Sequence, residues 1–167
     1  MNRIPLIFTI SCFIIYKLIA FYSHSVYWGM IVFILPITLL ILNLSLRNKL
    51  KYKAWFKSKL NLLLERKTFE FESEISSDLL FEKLQEVLAD SEFKLLDTDN
   101  KNKSILFGTT INLLTWGENI YIELIELSNG NTRIDFTAIS LFGSSSWKLN
   151  QQHYKTFISS FEASLTI

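Results

Sequence analysis

Two apolar runs, Ile4 to Tyr22 and Tyr27 to Leu46, are separated by only Ser23, His24, Ser25 and Val26, and a basic stretch follows at once. No other feature narrows the choice of folds so far. A helix rises about 1.5 Å per residue and a bilayer core takes about 20 apolar residues, so each run has the length of a membrane span. The second run carries no charge and opens on Tyr27 and Trp28, amphipathic rings that favour an interface. Pro36 is expected to kink it without ending it. Lys17 interrupts the first run near its end, where its stem can snorkel toward water. The expectation is a two-helix transmembrane hairpin over 1–46, with helices at about 4–22 and 27–46.

Basic residues set the expected orientation. Arg3 precedes the first run, and Arg47, Lys49, Lys51, Lys53, Lys57 and Lys59 follow the second, with none in the turn. Positive residues stay inside, which predicts an integral membrane protein with both termini cytoplasmic. A cleaved signal peptide lacks its small-residue site, and a lipoprotein signal at Cys12 comes after too little apolar sequence. Cys12 is the single cysteine, so no intramolecular disulfide forms.

The formal net charge of +1 hides a division. Residues 47–59 hold six basic residues and no acidic one, whereas 66–167 hold nine basic against fifteen acidic. A phosphate backbone needs clustered positive charge on the folded module, so nucleic acid is not expected as a partner. Segment 47–65 reads as a basic juxtamembrane helix or linker, with Leu50, Trp55, Phe56, Leu60, Leu63 and Leu64 at mostly helical spacings. Lys49, Lys51, Lys53, Lys57 and Lys59 are candidate contacts to anionic lipid, or else a flank that only fixes topology.

Residues 66–167 are expected to form one cytoplasmic α+β domain of order β-α-β-β-β-β-α with an antiparallel sheet. The alternation of Thr68 to Glu72 predicts a strand with Phe69 and Phe71 inward. Ser76 or Ser77 is placed to cap a helix opening on Asp78, with Leu80, Leu84, Val87 and Leu88 as its apolar stripe. Strands are predicted at 93–96, 104–110, 120–127 and 132–141, the last two joined at Asn129-Gly130, a pair that tolerates positive φ. In the final strand Ile134, Phe136 and Ala138 should face the core, and Arg133, Asp135 and Thr137 water. A closing helix from Asn150 or Gln151 to Ser164 presents Tyr154, Phe157, Ile158, Phe161 and Leu165.

This order over 67–165 resembles a reduced helix-grip fold, the architecture of START-related and pollen-allergen (Bet v 1-like) ligand-binding domains. Thr115-Trp116-Gly117-Glu118 and Trp147-Lys148-Leu149-Asn150 are similar to segments of uncharacterised bacterial membrane-anchored domains. The first resemblance implies an apolar ligand held between sheet and long helix. The second implies no catalytic residues. A pleckstrin-like module is a competing resemblance, weakened by the helix after the first strand.

Chemical motifs are sparse. His24 and His153 are the only histidines and make no His/Cys metal site. Asp97-Thr98-Asp99-Asn100 opens like a calcium loop, yet its sixth position is Asn102 and its twelfth Gly108. A solvated turn explains the same residues. No phosphate-cradling glycine loop or nucleophile elbow occurs. Glu118, Glu123 and Glu126 read as solvated strand carboxylates, with Glu118 also a candidate contact. Trp116 and Trp147, predicted in loops, are candidate ligand or partner contacts, or plugs over the open end of the sheet.

The expected function is therefore non-enzymatic, without cofactor or metal: a membrane-anchored protein whose domain binds a lipid, a small apolar ligand or a partner protein. A structural or regulatory subunit of a membrane complex and a ligand-gated membrane effector are the alternatives, with homo-oligomerisation left open.

Overall fold

The computed structural model describes residues 13–19, 21–22, 26–89, 93–110, 117–141 and 146–165. The chain divides into two compact units, Met1–Arg47 and Asn48–Ile167.

In the first unit, 13–19 and 21–22 are helical and helix α1 spans Val26–Leu46, running through Pro36. Among the described residues no helix is long and apolar enough to cross a membrane. That corrects the transmembrane hairpin expected at 4–22 and 27–46. The integral-membrane location with cytoplasmic termini falls with it, as does the membrane anchoring built on it. The expectation rested on counting apolar residues, and composition alone does not make a span. In α1 the polar residues Thr38, Asn43 and Ser45 interrupt the apolar sequence, Thr38 and Ser45 turning their hydroxyls back to the carbonyls of Ile34 and Ile41. Cys12 and His24 lie outside the described residues.

The second unit is α+β. A 3-10 turn at Leu50–Tyr52 and the short helix α2 (Lys53–Lys57) precede β1 (Leu64–Ser73), α3 (Ser77–Ala89), β2 (Lys94–Asp99), β3 (Ser104–Gly108), β4 (Glu118–Glu126), β5 (Thr132–Leu141) and α4 (Ser146–Leu165). The five strands form one antiparallel sheet in the order β1-β5-β4-β3-β2. Thus β2 to β5 are a simple meander, and the first strand returns beside the last.

Register explains the core. Phe69 lies opposite Phe136 and Phe71 opposite Ile134, while Ile122 sits between Ile105 and Phe136 on its two neighbours. Side chains alternate across a strand, so these residues share one face. Onto that face α3 brings Leu80, Leu84 and Leu88, and α4 brings Phe157 and Phe161, forming one buried cluster. Rings fill it: Phe136 lies 5.2 Å from Phe157 and 5.3 Å from Tyr154, and Tyr154 stacks on Phe69 at 4.2 Å. Burial, then the charge of Glu162, pushes the Tyr154 phenol upward from its usual pKa.

The other face of the sheet is covered too. Leu106, Tyr121, Thr137, Ile139 and Leu141 alternate away from the core and are nonetheless buried. Thr137, expected in water, is 2% exposed and lies 3.3 Å from the Thr68 hydroxyl. Segment 50–66 is fastened here. The Leu50 N–H donates to Asp97 at 2.9 Å, Lys57 reaches Glu123 at 2.7 Å and Lys53 the same carboxylate at 3.5 Å. Arg66 donates to the carbonyls of Phe56 and Ser58, and Phe56 is buried. Helix therefore occupies only 50–57 of the segment expected to be helical throughout, because these anchors bend the chain onto the sheet.

Turns follow their chemistry. At Asn129-Gly130 the glycine has φ +86° and the Asn129 side chain accepts from the Asn131 N–H at 3.0 Å. Between β2 and β3, Asp99 accepts from the Asn102 side chain at 2.7 Å and from the N–H groups of Asn102 and Lys101. These bonds, the side-chain one foremost, hold its carboxyl below the usual range. The closing helix begins at Ser146, a turn earlier than expected, since neither glycine nor proline stands in 146–150 to stop it.

Two outcomes follow. Phe136→Ala should destabilise the chain by about 3–5 kcal/mol in urea unfolding, since four neighbouring rings lose their shared contact. The Asp99 contribution is complete above the unfolded-state carboxyl value of about 3.9 and is lost as pH falls through the lower folded-state value. Urea midpoints measured against pH should accordingly show a shallower acid limb in Asp99→Asn than in the parent.

Candidate functional site

Of the three glutamates of β4, expected in solvent, Glu118 is buried and Glu123 half-buried, while Glu126 is exposed. Strand alternation places Glu118 and Glu126 on the core face with Ile120 and Ile122, and Glu123 on the other. Each has a partner: Glu126 accepts from the Ser77 hydroxyl at 2.5 Å, Glu123 takes Lys53 and Lys57, and Glu118 meets Nδ1 of His153 at 2.7 Å. The Ser77 hydroxyl, expected as a helix cap, is thus spent on tying α3 to β4.

The Glu118 position is the most unusual in the domain. It is 1% exposed, at the end of a strand whose inward neighbours are isoleucines. A carboxylate there costs several kcal/mol unless it is paired. His153 supplies a partner from α4, with its ring held edge-on to Phe93 at 5.7 Å. Glu118 is fixed from the backbone as well. Its N–H donates to the Thr109 hydroxyl at 2.8 Å, and its carbonyl accepts from the Thr109 N–H at 3.0 Å. Gly108, just before, permits this approach: a Cβ there would stand 2.9 Å from Leu96 Cδ1 and 3.3 Å from the Glu118 carbonyl.

Directly across the ladder from Glu118 is Ser140, on the same face. Its hydroxyl is buried and, among the described residues, has no hydrogen-bond partner. Buried hydroxyls are nearly always satisfied, and an unsatisfied one costs about 1–3 kcal/mol. Glu118, Ser140 and His153 therefore set polar groups at one end of an otherwise aromatic core.

Of the residues expected to form the site, Glu118 is in it. Trp116 lies outside the described residues, and Trp147 falls within α4 with its side chain outside them. Lys53 and Lys57 are engaged with Glu123, whereas Lys49, Lys51 and Lys59 are exposed. Sequence reasoning missed Ser140 and the His153 pairing. The signal available was a charged residue on the inward phase of a strand, together with a histidine one residue before Tyr154 in an apolar stripe. Among the described residues no group of three or more His, Cys, Asp or Glu is arranged to hold a metal. On the opposite face an open depression of about 530 Å³ is lined by Leu50, Lys51, Lys53 and the β2–β3 turn. It mixes both charge signs.

No protein-family model matches the chain, and no curated protein matches it. Among solved structures, Ara h 8.0201 is similar with a TM-score of 0.46 at 9% identity, over 62% of this chain and 99% of that one. A protein from Nitrosospira multiformis gives 0.47 at 6%, over 59% and 94%. The Zhui aromatase/cyclase from Streptomyces sp. R1128 gives 0.37 at 9%, over 60% and 88%. With every one of these TM-scores below 0.5, the α+β architecture rests on this chain's own strand order.

His153→Ala removes one partner from a buried carboxylate and should destabilise the protein by about 1–3 kcal/mol in urea unfolding. A double-mutant cycle with Glu118→Gln should return a coupling of at least about 0.5 kcal/mol, as for residues in direct contact.

Proposed function

We propose that the unit 48–167 is a non-enzymatic binding domain for a small ligand with an apolar body and a hydrogen-bonding head. The observation that carries this reading is the buried Ser140 hydroxyl without a partner, set across the ladder from the Glu118–His153 pair. Isoleucine or valine at 140 would fill the same inward strand position without stranding a donor. A polar group kept there is suited to recognition, because a ligand that satisfies it gains a buried hydrogen bond. The aromatic surroundings, with Phe93 against His153 and Phe107, suit the apolar body. The site offers both a donor and acceptors, so the head is a hydroxyl, amide, amine or carbonyl.

N-phenyl-1-naphthylamine, an apolar probe with a single N–H, tests this on the full chain by native mass spectrometry and fluorescence. Saturable one-to-one uptake is expected, weakened about tenfold by Ser140→Val, the loss of one buried hydrogen bond. Absence of uptake, or equal affinity in Ser140→Val, would count against the site.

A further inference from the structure

A second feature is separate from that site. Between α2 and β1 the chain makes a tight turn, Ser58-Lys59-Leu60-Asn61-Leu62, in which the usual order of burial is reversed. Asn61 is 6% exposed, while its two neighbours Leu60 and Leu62 are 89% and 90% exposed. These are among the most exposed large hydrophobic residues of the described chain.

The turn is built, not loose. The Ser58 hydroxyl accepts from the Leu60 N–H at 3.2 Å, and the Asn61 N–H donates to the Ser58 carbonyl at 3.3 Å. The Leu64 N–H donates back to the Asn61 carbonyl at 3.3 Å, and Arg66 braces the Ser58 carbonyl. With Asn61 drawn inward, the backbone has no means of turning both leucines to the core. Single exposed apolar residues need no explanation, but two whole leucines presented by a braced turn do.

Charge identifies the partner. Lys59 adjoins Leu60, and Lys49 and Lys51 of the same segment are exposed. Lys53 and Lys57 are taken by Glu123, which fixes the segment to the sheet, while Lys49 and Lys59 stay exposed and Lys51, also exposed, lies 4.9 Å from the centre of the Tyr52 ring. Residues 47–59 contain no acidic residue. Leucines beside lysines match a surface that is apolar beneath and negative above.

We propose that the turn 58–62 docks onto an anionic lipid surface, with Leu60 and Leu62 inserted among the acyl chains and Lys59, Lys49 and Lys51 at the headgroups. This is contact with a surface, and it calls for no membrane-spanning helix. It is independent of the ligand site proposed above.

The test uses the full chain carrying Cys12→Ser and Leu62→Cys, labelled at residue 62 with a polarity-sensitive bimane and mixed with vesicles. Vesicles containing phosphatidylglycerol should blue-shift the label and shield it from aqueous iodide. Pure phosphatidylcholine should do so much less. Lys59→Glu should weaken the response at least about fivefold, the effect of one basic residue near a charged surface. The same label at Thr68, on the sheet, should not respond, which separates docking of this turn from attachment elsewhere. No response at residue 62, an equal response with both lipids, or a blue shift that depends on protein concentration without vesicles would each overturn the proposal. The last would assign the leucines to a second copy of the chain.

Discussion

The ladder between β1 and β5 is the interaction on which the rest depends. Ten residue pairs, from Leu64 opposite Leu141 to Ser73 opposite Thr132, join the first strand of the domain to its last. Without it the sheet would end at β5, and Phe69 and Phe71 would have no place beside Phe136 and Ile134. Tyr154 would lose the ring it stacks on, and α4 much of its seat. It is also the most expensive contact to form, since the intervening chain must be ordered before the pairing gains anything.

Over its central strands the sheet is covered on both faces rather than one. The aromatic side is covered by α3 and α4, the other by the basic segment held through Glu123 and Asp97. Both charges of the domain surface and its folding are thereby coupled. The lysines that gave the segment its look of a free basic collar are partly structural, clamped to a strand far away in sequence.

The legible parts of the fold were those encoded locally. Alternation in Thr68 to Glu72, the Asn129-Gly130 turn and the stripe Tyr154, Phe157, Ile158, Phe161 each carry their own periodicity. Thr137 shows where that logic ends, because its phase says solvent and only a distant segment makes it buried. The site was less readable for the same reason. Glu118 stands out, but its meaning depends on His153, 35 residues later, and on a register that sets Ser140 beside it. The apolar runs misled in another way. An apolar count takes no account of the polar residues Thr38, Asn43 and Ser45 set among the aliphatic side chains of α1.

The edges of the sheet close the picture. β2, at one margin, is short and its pairing slips between Leu95 and Asp97. β1, at the other, is long, yet it alternates its phenylalanines with Thr68, Glu70 and Glu72, all exposed. A bulge blunts the first and like charges the second, so neither offers an easy template for another strand. A sheet whose core is completed by β1 can thus sit at high local concentration without zipping onto its copies.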